Sequence, residues 1–215
     1  TLFRSGGHKD IYAPVVLGSD PPNYSTHFDA KKIELKFDEF VVVSDVTTEV
    51  FISPPLEKTP EIKTRGKSVI IEIDEKLHDS TTYSIFFGKS IKDLTENNPI
   101  ENYNYVFSTG DKIDSLSVIG EVIDAFELKP RGDVLVMLYE DSHDTIPFDS
   151  LPFLVKPAYL TRSNEAGFFV INNLREDDYM LFALADNIFS SSYDNGEEEV
   201  AFLDSLITPL HLAPE

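Results

Sequence analysis

Short runs in which apolar and polar residues alternate fill this chain, and no segment sustains a helical period beyond two turns. Alternation with a period of two is what a strand with one buried face requires, because successive side chains leave a strand on opposite sides. Lys32-Ile33-Glu34-Leu35-Lys36-Phe37-Asp38 is the clearest case. Val15-Val16-Leu17, Glu49-Val50-Phe51-Ile52-Ser53, Thr82-Tyr83-Ser84-Ile85-Phe86-Phe87 and Tyr103-Asn104-Tyr105-Val106-Phe107 are further strands, the second stopped by Pro54-Pro55. Lys63 to Ser68 reads as a turn leading into Val69-Ile70-Ile71-Glu72-Ile73, a hairpin pattern. Asp93 to Pro99, dense in Asn, Glu and Pro, reads as a loop. Short strands at this spacing predict a β-sandwich.

The pattern pauses at Tyr105-Val106-Phe107-Ser108-Thr109-Gly110-Asp111 and restarts at Ser117-Val118-Ile119-Gly120-Glu121-Val122-Ile123-Asp124. Strands are expected at 116–124, 134–139, 158–162, 168–171, 179–185 and 200–203, with turns at 129–133, 164–167 and 172–178. Residues 141–157 carry Pro147, Pro152 and Pro157 and read as a long surface loop. The expected organisation is a linker over 1–12, one sandwich over 13–110, a second over 115–205 and a tail over 206–215. The connector from Gly110 to Ser115 is short enough to predict a near-fixed orientation of the two.

The 215 residues suffice for two such cores, which 16 Phe can help to fill. With no Cys, disulfides and thiolate metal sites are excluded. No apolar run of about 18 residues is present, so no transmembrane helix is expected. The formal net charge is -20, unevenly spread: residues 1–110 hold 12 Lys and Arg against 17 Asp and Glu, residues 111–215 hold 6 against 21. Such a surface repels nucleic-acid phosphates and anionic lipid, so neither is an expected partner; it suits solubility, cations or basic partners.

Several blocks resemble known families. Ser5-Gly6-Gly7-His8-Lys9-Asp10, Pro21-Pro22-Asn23-Tyr24-Ser25-Thr26, Ile33 to Val41, Ile52-Ser53-Pro54-Pro55-Leu56 and Tyr105 to Gly110 resemble a bacterial Ig-like domain of the SbsA surface-layer class, in the form that heads lipoproteins of Bacteroidetes-type bacteria. Gly120 to Phe126, Asp133 to Tyr139 and Phe168 to Leu184 are similar to a transthyretin-like (prealbumin-like) or carboxypeptidase-regulatory-like β-domain. The resemblance implies an all-β chain of two consecutive sandwiches, exported and held at the outer membrane or cell surface by a lipid anchor upstream of residue 1. His8 stands where relatives usually carry Pro. The implied function is a non-enzymatic interaction or scaffold module, with a protein or glycan partner at the cell envelope. Two alternatives stand beside it: a glycan- or peptide-binding surface lipoprotein, and an accessory region of a hydrolase. The families bring no catalytic residues.

One loop has metal-binding chemistry. Calcium takes hard oxygen ligands at alternating positions of a loop of about 12 residues. Counted from Asp186, that spacing assigns Asp186, Ser190, the Ser192 carbonyl, Asp194 and Glu197. Ile188 falls on a ligand position and Ser191 on the usual glycine, which leaves a degenerate site or a solvated acidic loop. Neighbouring carboxylates (Asp38/Glu39, Asp74/Glu75, Asp177/Asp178) sit in expected turns, without the facing arrangement that glycoside hydrolysis needs. The five His are scattered, with no zinc-type pair. Tyr24, His27, Phe28, Phe148, Phe153 and Tyr159 are the aromatic candidates for stacking on sugar faces, although most Phe alternate with polar residues as core positions do.

Overall fold

The computed structural model describes residues 10–101, 103–141, 146–185 and 198–212. The candidate calcium ligands Asp186, Ser190, Ser192, Asp194 and Glu197 lie outside the described residues. The first unit contains β1 (Val16–Asp20), β2 (Lys32–Phe37), β3 (Val41–Val43), α1 (Val46–Glu49), β4 (Phe51–Ser53), β5 (Glu61–Arg65), β6 (Ser68–Glu72), β7 (Thr82–Phe86), β8 (Ile91–Asp93) and β9 (Asn104–Ser108). The second contains β10 (Leu116–Glu121), β11 (Leu135–Glu140), a 3-10 turn at Phe148–Ser150 running into α2 (Leu151–Leu154), β12 (Tyr159–Arg162), β13 (Phe168–Leu174), β14 (Tyr179–Leu184) and β15 (Val200–Phe202). Among the described residues no helix is long and apolar enough to cross a membrane.

In the first unit a sheet ordered β1-β2-β6-β5 faces a sheet ordered β4-β7-β9, and β3 pairs with β8 beside them. The inward positions are those the alternation assigns: Ile33, Leu35 and Phe37 on β2, Val69 and Ile71 on β6, Tyr83 and Ile85 on β7, Tyr105 and Phe107 on β9. Phe28, Tyr83 and Tyr105 gather around Phe107, with ring centroids 4.0, 5.4 and 5.9 Å away. Burying each large apolar side chain contributes about 1.5–3 kcal/mol, so this layer dominates the stability of the unit.

Several details differ from the sequence-based expectation, among them β13, which continues to Leu174 through the start of the turn expected over 172–178. The turn expected over Lys63–Ser68 is shorter: β5 continues to Arg65, and the chain reverses at Gly66, whose φ of 65° suits glycine. Val41–Val43 and Ile91–Asp93 are paired strands, the latter ending on the first residue of the expected loop. The expected surface loop over 141–157 instead folds inward from residue 146, and Leu151 is fully buried.

That inward fold has a clear cause in the second unit. Its four-stranded sheet, ordered β12-β11-β14-β15, is covered on both faces. The β10-β13 pair packs Val118, Phe169 and Ile171 against Val136, Leu138 and Leu181 on one side. On the other, Leu135, Met137, Tyr139, Phe182 and Leu184 need a second cover, and Leu151 with Ile146 and Phe148 supplies it. The unbroken apolar run of β11 is the sequence form of this double burial. Gly120 of β10 is required by the ring of its cross-strand partner Phe169, which would lie 2.6 Å from an added Cβ.

The expected tail is tied down. Ile207 exchanges backbone hydrogen bonds with Tyr179, and Leu210 with Ser117, at 2.8–3.0 Å. Residues 207–210 thereby span from the start of β14 to β10, and Ile207 packs on the core between the two sheets.

Candidate functional site

The two units touch along the outward face of the β4-β7-β9 sheet. In β4, Ile52 enters the first core, so its neighbours Phe51 and Ser53 point the other way. Phe51 packs into the second unit's Leu151 layer. The Arg162 guanidinium of β12 sits over its ring, 5.3 Å from the centroid. The Ser53 hydroxyl accepts the Leu160 N–H at 3.2 Å. Arg162 is itself nearly buried along its side chain, and Nη1 donates to the Asp133 carbonyl at 3.1 Å.

A polar clasp closes the interface at the connector. Thr82 Oγ1 donates to Asp114 Oδ2 at 2.8 Å and accepts the Asp114 N–H at 2.9 Å. Asn173 Nδ2 donates to the Asp114 carbonyl at 3.0 Å, and Ser84 Oγ lies 3.2 Å from Asn173 Oδ1. Thr82 is 2% exposed, so its two bonds to Asp114 are partly shielded from water.

Two concave spaces flank the Phe51 contact. The larger, about 500 Å³, is lined by Val50, Ile52, Leu56 and Ile62 from the first unit and Phe153 and Leu160 from the second. Its rim carries Lys58, Glu57 and Lys156. Lys156 Nζ crosses the groove to the Leu56 carbonyl at 3.2 Å and Glu57 Oε2 at 3.0 Å; Lys58 Nζ donates to the Asp74 carbonyl at 2.9 Å. The smaller space, about 370 Å³, lies between Ser84, Phe86 and Asn104 on one side and Arg162, Phe168 and Asn172 on the other. An apolar floor with two rim amines can hold an extended aliphatic or aromatic segment.

The aromatic candidates for sugar stacking are separated. Tyr24 and His27 are exposed, but Phe28 is a core residue. Tyr159 is buried against Tyr179, 5.7 Å between centroids, and Phe148 packs on Phe182 at 4.7 Å. Phe153 stands at the larger groove. The carboxylate neighbours do structural work: Asp38 accepts the Val15 N–H at 2.8 Å, Glu75 the Glu57 and Lys58 N–H groups at 3.1 and 2.6 Å, and Asp178 the Thr208 hydroxyl at 2.6 Å. Among the described residues no group of three or more His, Asp or Glu is placed to hold a metal.

Sequence reasoning did not single out Phe51, Leu160, Arg162 or Asn173. One signal was available: Val50-Phe51-Ile52 breaks the period of two, and an unbroken apolar run marks a strand covered on both faces.

Residues 10–109 match the family model described as a bacterial Ig-like domain. No curated protein matches the chain. Among solved structures, the N-terminal part of the bacterial S-layer protein SbsC aligns with 90% of this chain and 45% of its own length, at 13% identity and a TM-score of 0.30. The longer S-layer structure rSbsC(31-844) aligns with 80% of this chain and 23% of its own, at 13% identity and a TM-score of 0.29. BcpA, the major pilin subunit of Bacillus cereus, aligns with 91% and 65%, at 10% identity and a TM-score of 0.26. The chain thus spans less than half the length of the SbsC structures it aligns with. Its fold is all-β, and residues 10–109 are similar to bacterial Ig-like domains.

Proposed function

We propose that this chain is a structural module of an exported bacterial surface protein, a stiff two-unit spacer rather than an enzyme. The observation that carries the reading is the interface itself. An apolar contact through Phe51, the part-buried hydrogen bonds around Asp114 and the Lys156 bridge join the units at three separate places. Attachment at more than one place limits bending between the units, which suits a part that transmits position or force. In this reading the second unit is a transthyretin-like or carboxypeptidase-regulatory-like domain, and a lipid anchor precedes residue 1. The test is the distribution of distances between spin labels placed one on each unit, read by pulsed electron resonance. A single narrow distribution that broadens in the double variant Phe51→Ala/Asn173→Ala supports the spacer. A broad distribution in the unaltered chain overturns it. Fatty-acid labelling of the full-length protein in its own cells tests the anchor.

A second reading is favoured by the larger groove. Its apolar floor and its Lys58 and Lys156 rim fit a peptide or glycan partner at the cell envelope. Screening the chain against arrays of envelope glycans and peptides, with Leu56→Glu as the blocked control, tests it.

A further inference from the structure

The smaller space between the units carries polar chemistry that the interface does not use. Phe86 of β7 and Asn104 of β9 are cross-strand partners. Ile85 and Tyr105 enter the first core, so Phe86 and Asn104 leave the sheet together on the side of the second unit. Across the cleft, Phe169 and Ile171 of β13 enter the second core, so Phe168 and Asn172 leave that strand on its other face. Thr161 of β12 lines the space as well.

The polar groups divide into those that hold the fold and those that do not. Ser53 Oγ accepts the Leu160 N–H, and Asn164 Oδ1 accepts the N–H groups of Ala166 and Phe168. Arg162 is committed to the Asp133 carbonyl and to the Phe51 ring. Asn172 Oδ1 accepts the Ser117 hydroxyl, and its Nδ2 donors have no acceptor among the described residues. The Thr161 hydroxyl and the Asn104 amide likewise have no side-chain hydrogen bond among the described residues. Asn104 Oδ1 is in addition closed off from solvent, an acceptor left without either protein or water.

Composition selects the ligand. The chain has 38 Asp and Glu, and none of them lines this cleft, so a cation finds no counter-charge there. The net charge of -20 repels an anion, and the one guanidinium is already in use. A wholly apolar ligand would strand the amides and the hydroxyl without partners. A neutral molecule with many hydroxyls and one apolar face meets all three conditions. A pyranose ring is such a molecule. Amides and hydroxyls can both donate to and accept from its hydroxyls, and its C–H face lies against an aromatic ring. Phe168, 54% exposed, and the half-buried Phe86 offer such rings. The volume of about 370 Å³ falls among small-molecule sites, which run from about 300 to 1,000 Å³.

We propose that the cleft between β7-β9 and β12-β13 binds a short neutral saccharide, with Phe168 as the stacking platform and Asn104, Thr161 and Asn172 as hydroxyl partners. The site is separate from the larger groove. It rests on the same joining of the units as the spacer reading.

The probes are neutral disaccharides of glucose, galactose, mannose and N-acetylglucosamine, each titrated into the isotope-labelled chain and followed by nuclear magnetic resonance. Saturable shifts of the Asn104 and Asn172 side-chain amides are expected with at least one of them, with Kd on the order of 0.1–10 mM. Digalacturonate, which adds two carboxylates to the same ring, should bind more weakly than digalactose. Phe168→Ala should weaken binding about 3- to 10-fold with the thermal midpoint held, since the ring is exposed. Thr161→Val keeps the shape, removes one hydroxyl and should weaken binding about 2- to 10-fold. Leu56→Glu, in the larger groove, should leave it unchanged. No saturable shift with any of the four, tighter binding of digalacturonate than of digalactose, or full binding in both Phe168→Ala and Thr161→Val each overturns the proposal. Binding abolished by Leu56→Glu also overturns it, in favour of the larger groove. A single narrow spin-label distribution without disaccharide binding removes the site and leaves the spacer standing.

Discussion

Phe51 of the first unit lies under the guanidinium of Arg162 of the second, with the charge 5.3 Å from the ring centroid. Arg162 also donates to the Asp133 carbonyl, so it is held in place before it meets the ring. The contact therefore joins two pre-positioned groups and costs little side-chain entropy.

Phe51→Ala should destabilise the protein by about 1–3 kcal/mol, less than a fully buried Phe because Phe51 is half-buried. Most of that loss should appear as lost coupling between the units. Calorimetry should show the melting profile broaden or split, with the first unit's transition displaced least. A double-mutant cycle with Arg162→Met should return a coupling of about 0.5–2 kcal/mol.

Thr82→Val tests the clasp at the connector. The replacement is similar in shape but removes the hydroxyl that both donates to and accepts from Asp114. It leaves the Asp114 N–H without its acceptor in a part-buried place, which costs about 1–3 kcal/mol. Hydrogen exchange at the Asp114 amide should accelerate by at least about 10-fold, while exchange in β2 and β6 stays unchanged. Equal acceleration throughout the first unit would mean that Thr82 stabilises that core rather than the joint.

The alternation of residues made β2 and β7 legible, whereas β6 and β9 were legible as short apolar runs and are covered on both faces, Ile70 and Val106 included. The double-faced burial of β11 was legible as well, as an unbroken apolar run from Val134 to Tyr139. The strands β3 and β8 were not, since each is three residues long and finds its partner far along the chain. Residues 146–154 were misread because their prolines suggest a loop. Pro152 in fact sits in the first turn of α2, where a missing N–H costs nothing. The groove was legible only through Phe51, for its walls come from two units whose contact no local pattern encodes.

Asp93 should govern part of the acid stability. It is 1% exposed, which alone would raise its pKa. The N–H groups of Glu96, Asn98 and Thr95, at 2.6, 2.7 and 2.8 Å, outweigh that burial and leave the carboxyl below its ordinary value. A lowered folded pKa gives stability that is present above the unfolded value of about 3.9 and lost as pH falls through the folded value. Glu39 moves the other way, raised by its own desolvation and by the charges of Asp93 and Asp38, and offsets part of the loss. Asp93→Asn should cost about 1–3 kcal/mol at pH 7 and flatten the decline of the thermal midpoint below about pH 4. A decline as steep in the variant as in the unaltered chain would assign the acid sensitivity elsewhere.

At alkaline pH the buried tyrosines should set the limit. Burial pushes Tyr105 up to about 12, and raises Tyr83 and Tyr159 as well. Tyr105 is fully buried and donates its hydroxyl to the Pro21 carbonyl at 2.9 Å, a bond the phenolate cannot make. The folded pKa lies above the unfolded value of about 10, so the contribution is complete below pH 10 and lost as pH rises through the folded value. The tyrosinate absorbance contributed by the buried tyrosines and the loss of near-ultraviolet circular dichroism should therefore rise together, in one cooperative step above pH 10. Tyr105→Phe should cost about 1 kcal/mol at pH 7, through the abandoned Pro21 carbonyl. It should also move the alkaline midpoint of unfolding upward relative to its own neutral stability, because one of the groups driving unfolding is gone. Tyrosinate that forms fully while the circular dichroism holds would mean that the first unit's core opens to hydroxide without unfolding, and the packing around Phe107 would be looser than its ring distances imply.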